Sequence, residues 1–209
     1  MRITLLILCL LLTACERQPS FPPLPAGATI VILGDSLTYG TGARDEEAYP
    51  SLLAANTGWK IINGGVPGDT SADGLMRLPA LLETQRADLL LIALGGNDFL
   101  RREPDTVTIN NLKSALSHAK SQGIQTAVIA VPQFSPLGAA VGTLSDHPLY
   151  TSLAKETDVP LIENVFSPVL AKNAWKSDPI HPNAEGYREV ERRLREALIS
   201  LGFIAKSPS

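Results

Sequence analysis

Three stretches of this chain are built almost wholly of apolar and β-branched residues, and each stops at glycine or proline. They are Thr29-Ile30-Val31-Ile32-Leu33 before Gly34, Leu89 to Leu94 before Gly95-Gly96, and Thr126 to Val131 before Pro132. A strand with one wet face alternates polar and apolar residues; a run without alternation must be covered on both faces. Trp59-Lys60-Ile61-Ile62-Asn63 before Gly64-Gly65 and the shorter Val159–Ile162 supply two weaker candidates. Between the runs lie helical patterns. Asp105, placed as an N-cap, precedes Ile109, Leu112, Leu116 and Ala119 at helical spacing, with Gly123 as the stop. Near the end Tyr187, Val190, Leu194, Leu198 and Leu201 form one stripe, and Glu189/Arg193 and Glu191/Arg195 repeat four apart on what reads as a solvated face. Strands buried on both faces and alternating with helices predict an α/β protein, with a parallel sheet of about five strands between two helical layers.

The first residues follow another pattern. Met1-Arg2 leads into an apolar run from Ile3 to Leu12, then Thr13-Ala14-Cys15. The run is half the length that spans a bilayer, but a positive start, an apolar stretch and small residues before a cut make an export signal. Leu12-Thr13-Ala14-Cys15 resembles the bacterial lipobox, which predicts residues 1–14 as a signal peptide cleaved before a lipidated Cys15. The simpler alternative is an ordinary signal peptide with Cys15 incidental. Residues 15–27 hold four prolines and read as an extended tether. Residues 28–209 then fit a single domain. Glu16 after Cys15 is no evident inner-membrane retention signal, so the expected place is the outer membrane, facing the periplasm. Cys9 lies inside the leader, so the mature chain has no second thiol and cannot form an internal disulfide. Without Arg2 the charges stand at 17 basic to 21 acidic, with no basic block to track a phosphate backbone; nucleic acid is excluded as an expected partner.

Parallel sheets bind ligands at the carboxyl ends of their strands. The segments there are Gly34-Asp35-Ser36-Leu37, Gly64-Gly65-Val66-Pro67-Gly68-Asp69-Thr70 and Gly95-Gly96-Asn97-Asp98, with Ser177-Asp178-Pro179-Ile180-His181-Pro182-Asn183 before the last helix. None meets the glycine spacing of a dinucleotide turn or the lysine of a P-loop. The chain has three histidines and none is adjacent in sequence to the three strand-end glycine loops, so a two-metal phosphoesterase is a poor fit.

Acyl transfer needs a nucleophile, a base, a group to orient the base, and donors for an oxyanion. Ser36 at a strand-to-helix turn is the candidate nucleophile, although a serine there is more commonly a helix N-cap. His181 is the candidate base and Asp178, three residues earlier, its orienting partner. The Gly68 N–H and the Asn97 amide are candidate oxyanion donors, beside the N–H of Ser36 itself. Asp146-His147 is the alternative pair, read as a surface turn before Pro148, and His118 reads as a helix surface residue.

At these four blocks the sequence resembles the SGNH (GDSL) hydrolase family. The blocks are Ile32 to Leu37, Gly68 to Ser71, Leu94 to Asp98 and Asp178 to Pro182, in order across most of residues 28–190. The resemblance implies a three-layer, flavodoxin-like α/β/α fold and a serine esterase with no metal, nucleotide or other cofactor. It assigns Ser36, Asp178 and His181 to the triad and Ser36, Gly68 and Asn97 to the oxyanion hole. Leu75-Met76-Arg77-Leu78-Pro79-Ala80-Leu81-Leu82 is similar to the thioesterase I, lysophospholipase and arylesterase group. Residues 133–147, with Phe134, Leu137, Val141 and Leu144, depart from that group. The expectation is a monomeric, lipid-anchored esterase acting on lipid, lysophospholipid or aryl esters. An envelope glycan O-acetylesterase and a non-catalytic binding lipoprotein are the alternatives.

Overall fold

The computed structural model describes residues 21–133 and 142–206. The predicted signal peptide, Cys15, and Phe134, Leu137 and Val141 of the divergent loop lie outside the described residues. Five strands form: β1 (Thr29–Gly34), β2 (Lys60–Gly65), β3 (Leu89–Ala93), β4 (Gln125–Ile129) and β5 (Leu161–Ile162). Their order is β2-β1-β3-β4-β5, and every pairing is parallel. The central strands are the three apolar runs: Ile30 to Leu33, Leu89 to Ala93 and Ala127 to Ile129 have no exposed surface. Strand β2 lies at an edge, and its partly exposed Ile61 and Ile62 match its weaker apolar pattern.

Helix α1 (Ser36–Tyr39) follows β1 directly, and α2 (Tyr49–Thr57) leads into β2. Next come α3 (Ser71–Glu83), α4 (Gly96–Arg101), α5 (Asp105–Ser121), α6 (Leu149–Thr157), α7 (Ser167–Leu170) and the closing α8 (Ala184–Leu201). From β1 the chain steps one way to β2 and then back past β1 to β3. Right-handed crossovers therefore place α2 on one face and α3 and α5 on the other. The contacts agree: α3 packs on α5 and α5 on α6, whereas α2 packs on α8. This is the expected three-layer sandwich.

Small departures have local causes. Asp105 is the first residue of α5, with Pro104 at the cap position, so its carboxylate lies in the first turn, where the helix dipole favours negative charge. In α8, Tyr187, Val190, Leu194 and Leu198 are buried as expected, and Leu201 is only partly so. The charged face is not uniformly solvated. Glu191 is 4% exposed and takes Arg195 Nε at 2.9 Å, while Glu189 accepts from both Arg192 and Arg193. These guanidiniums cover a helix edge that packing has partly closed.

The described part of the proline-rich segment is docked. Phe21 N–H donates to Leu201 O, Leu24 N–H to Phe203 O at 2.9 Å, and the Phe21 ring stacks on Phe203 at 4.5 Å. The segment thus closes over the C-terminal end of α8. Phe203 is fully buried, so Phe203→Ala is expected to cost about 3–5 kcal/mol. Thermal melting would read that loss, and limited proteolysis should show earlier cleavage within residues 21–27.

Candidate active site

The site is assembled around the point where the sheet reverses direction, between β1 and β3. After β1 the chain turns so tightly that a Cβ on Gly34 would collide with the Thr38 side chain. The cap of α1 is Asp35, whose carboxylate accepts the Leu37 N–H at 2.9 Å. That corrects the ordinary expectation for a serine in this place. With the cap supplied by its neighbour, Ser36 keeps its hydroxyl for another partner.

That partner is 145 residues away: Ser36 Oγ lies 2.9 Å from His181 Nε2. His181 Nδ1 lies 2.7 Å from Asp178 Oδ2. The opposite oxygen, Asp178 Oδ1, accepts the backbone N–H groups of Ile180 and His181, each at 2.9 Å. A carboxylate held by its own loop in this way fixes the imidazole with Nδ1 as donor and Nε2 as acceptor. Burial pushes the Asp178 carboxyl up, but the hydrogen bonds from His181 and Ile180 outweigh it and hold the group below its ordinary range.

The loop carrying this pair is itself pinned. Lys176 and Pro182 form an antiparallel bridge, and Ser177 N–H donates to His181 O at 3.0 Å. Asn183 caps α8 by accepting Gly186 N–H at 3.0 Å, and its Nδ2 donates to Ala174 O at 2.9 Å and Lys176 O at 3.3 Å. Sequence reasoning quoted Asn183 only as the end of a block; an Asn three residues before a glycine at a helix start was the available signal.

Asn97 sits in the first turn of α4, after Gly95, whose φ of +126° suits glycine. Its Nδ2 donates to Asp69 O at 2.8 Å and lies 3.3 Å from Asp35 Oδ2. Gly68, next to Asp69, has its carbonyl held by Arg101 at 2.9 Å. Among the described residues the N–H groups of Ser36 and Gly68 have no acceptor. The structure therefore brings Ser36, His181 and Asp178 into contact and sets Asn97 beside them. Gly68 is tied to the group indirectly, through Asp69.

Other residues proved structural in ways the sequence did not announce. Arg77 donates to Asp69 Oδ2 at 2.6 Å, to Gly34 O at 2.8 Å and to Gly64 O at 2.6 Å. Asp98, 1% exposed, accepts from Ser71 N–H at 2.8 Å, from the Ser71 hydroxyl, and from Thr108 Oγ1 at 3.1 Å. His147 does not occupy a surface turn. Its ring stacks on Phe99 at 4.1 Å, and burial holds its imidazole below the ordinary value against the opposing pull of Asp105. Its neighbour Asp146 points elsewhere, to Asn164 N–H and the Ser167 hydroxyl. His118 bonds Gln122 on the α5 surface.

Ser36, Asn97 and His181 open on a cavity of about 600 Å³, whose other walls include Leu100, Val131, Pro132, Leu144 and Leu170. Among the described residues no group of three or more His, Cys, Asp or Glu side chains is placed to hold a metal ion. No helix among them is long and apolar enough to cross a membrane.

Asp35 is the most perturbed acid near the site. Burial pushes its carboxyl up to about 7, helped by the charges of Asp69 and Asp98 and opposed by backbone N–H bonds. Because the folded value exceeds the unfolded one, this group stabilises the fold at low pH. That contribution, on the order of 4 kcal/mol, is lost as pH rises from about 4 to 7. Asp35→Asn keeps a capping oxygen and cannot ionise. Its stability relative to the wild type should therefore climb across that window in denaturant melts; a difference independent of pH would assign the titration elsewhere.

Residues 32–189 match the GDSL-like Lipase/Acylhydrolase family. The chain is 35% identical over 165 residues to the thioesterase 1/protease 1/lysophospholipase L1 of Escherichia coli (strain K12), covering 77% of this chain and 78% of that protein. It is 31% identical over 180 residues to an arylesterase of Vibrio mimicus, covering 83% and 90%. The solved structure of the psychrotrophic esterase EstA from Pseudoalteromonas sp. superposes with a TM-score of 0.71 at 27% identity, covering 81% of this chain and 96% of that one. These likenesses favour ester hydrolysis over a binding-only protein.

Proposed function

The chain belongs to the GDSL-like lipase/acylhydrolase family and is a serine hydrolase of carboxylic esters; within that activity we propose that it cleaves long-acyl lipid esters of the lysophospholipid type at Ser36. The observation that carries this reading is the cavity of about 600 Å³ beside Ser36, walled by Leu100, Val131, Pro132, Leu144 and Leu170. A ligand-sized, largely apolar cleft suits an acyl chain and is far more than an acetyl group fills.

In this reading each residue has a role. Ser36 Oγ attacks the ester carbonyl while His181 Nε2 takes its proton, and Asp178 stabilises the imidazolium that forms. The oxyanion receives the unpaired N–H groups of Ser36 and Gly68 and one Nδ2–H of Asn97. The long bond from Asn97 to Asp35 is the one that yields, while the bond to Asp69 O keeps the amide in place. Collapse of the adduct expels the alcohol, protonated by His181, and a water activated by the same nitrogen releases the acid.

Residues 1–14 act in this proposal as an export signal, and Cys15 carries the lipid anchor to the outer membrane. The docked segment bears on how such an enzyme meets its substrate. Phe21 lies against Leu201 and Phe203, at the end of α8 away from Asn183 and His181. Eighteen helical residues separate those ends by about 27 Å. With Cys15 as the anchor, the segment meets the domain at the end of α8 remote from His181, which favours substrates that reach Ser36 as dispersed monomers.

Two measurements test the reading. A fluorophosphonate should label the wild type and fail to label Ser36→Ala, and His181→Ala should lower kcat by about 10⁴ or more. A series of p-nitrophenyl esters should show kcat/KM rising from acetyl to medium and long chains. Strict acetyl preference would remove the lipid-ester reading and favour a glycan O-acetylesterase.

A further inference from the structure

The cavity is apolar along most of its wall but carries a cation at the end that bears the base. Lys176 lines it, together with Asn173, on the loop that leads through Ser177 and Asp178 to His181. Among the described residues the Lys176 ammonium has neither an ion-pair nor a hydrogen-bond partner. By contrast Lys172, four residues earlier, lies over the Trp175 ring at 3.8 Å. The nearest acid in sequence, Asp178, has both oxygens committed to His181 and the Ile180 N–H. Lys176 is only partly exposed, and its backbone is held against Pro182 by the antiparallel bridge and by Asn183 Nδ2. The loop that fixes the base therefore also fixes the root of this cation.

The direction of the reaction decides what such a cation meets. His181 Nε2 returns its proton to the departing alcohol oxygen, so the alcohol portion of the ester leaves along the loop that carries His181. That leaves the apolar wall of Val131, Pro132 and Leu144 to the acyl chain of the lipid-ester reading. An ammonium at a partly buried position on the leaving-group side can pair with an anion carried by the bound ester.

We propose that Lys176, with Asn173 as an accompanying polar group, binds a phosphate on the alcohol portion of the substrate, so that the enzyme prefers esters whose leaving group is anionic. This rests on the lipid-ester reading above and narrows it. The phosphate is that of a glycerophospholipid headgroup or of a phosphorylated thiol carrier such as an acyl-CoA, and both present the same chemistry to the ammonium. No covalent step changes; the subsite acts on binding and on alignment of the alcohol with His181.

The experiment compares 1-myristoylglycerol 3-phosphate, myristoyl-CoA and the neutral 1-myristoylglycerol, all as monomers, on the exported form of the full chain and its variants. The expected wild-type result is a higher kcat/KM for at least one phosphate-bearing ester than for the neutral ester. Lys176→Met should collapse that ratio about tenfold, chiefly through KM, as loss of one charge-assisted contact implies. Lys176→Arg should retain it, and added salt should shrink it in the wild type. Whichever phosphate ester shows the larger collapse identifies the source. An equal loss on charged and neutral esters in Lys176→Met would overturn the subsite and leave a structural role. Activity on p-nitrophenyl esters with none on any of the three myristoyl esters would overturn the lipid-ester reading itself.

Discussion

The guanidinium of Arg77 joins the carboxyl ends of two neighbouring strands, and the placement of the catalytic loops depends on that junction. It donates to Gly34 O at the end of β1, to Gly64 O near the end of β2, and to the Asp69 carboxylate in the loop beyond. Strand-end carbonyls are a standing difficulty for a parallel sheet, because the ladder stops where the chain turns away. A rigid planar cation with several donors satisfies two of them and a carboxylate at once. Ser36 follows the first strand end and Gly68 precedes Asp69, so one side chain sets the distance between the Ser36 turn and the Gly68 loop. Asp98 performs the corresponding work across the other gap, binding Ser71 of the second loop and Thr108 of α5 from the turn that holds Asn97.

Several acids crowd this end of the sheet, and their different partners explain why one of them titrates apart from the others. Asp69 has Arg77, Asp98 has three donors, and Asp178 has the imidazole and two backbone N–H groups. Asp35 is 2% exposed and, among the described residues, has no cation, only backbone N–H groups of Leu37 and of Asp35 itself and a long contact from Asn97. Desolvation therefore dominates, and the proton stays on into the neutral range. This has a consequence for Asn97. A neutral Asp35 holds the second amide hydrogen only weakly, which leaves that hydrogen available to a developing negative charge.

The sequence made the fold legible because strands buried on both faces and amphipathic helices leave strong, short-range patterns. Apolar runs identified β1, β3 and β4 to within a residue or two, and the stripe of Tyr187, Val190, Leu194 and Leu198 identified α8. The weakest runs in sequence, β2 and β5, are the edges of the sheet, where one side of each strand lacks a neighbour. Within the site, the Asp178–His181 pair was readable because its members lie three apart in one loop. The contact of His181 with Ser36 spans 145 residues and was placed only by strand-end logic and family likeness. Arg77 and Asp98 escaped because their partners lie as far as 43 and 27 residues away, and no local pattern records such a partner; Asn183 binds within nine residues and carried the local signal of a helix cap. His147 was misplaced for a related reason: its environment is Phe99 and Asp105, which no neighbour in sequence reveals.

The same long helix that carries the base loop at one end receives the N-terminal segment at the other. At its start Asn183 caps the helix and binds Lys176 O; at its finish Leu201 and the following Phe203 hold Phe21 and Leu24. Between them lies a buried stripe that packs on α2 and fixes the helix against the sheet. The divergent segment at residues 133–147 likewise stands on a fixed base, because Gln133 N–H meets Ser145 O, and His147 N–H meets Val131 O. Of its described residues Gln133 and Leu144 line the cavity, whereas the turn at Ser36 is set by Gly34, Asp35 and Arg77. The Phe21 docking site, the cavity wall at Leu144 and the Ser36–His181–Asp178 contacts thus belong to separate parts of one sandwich.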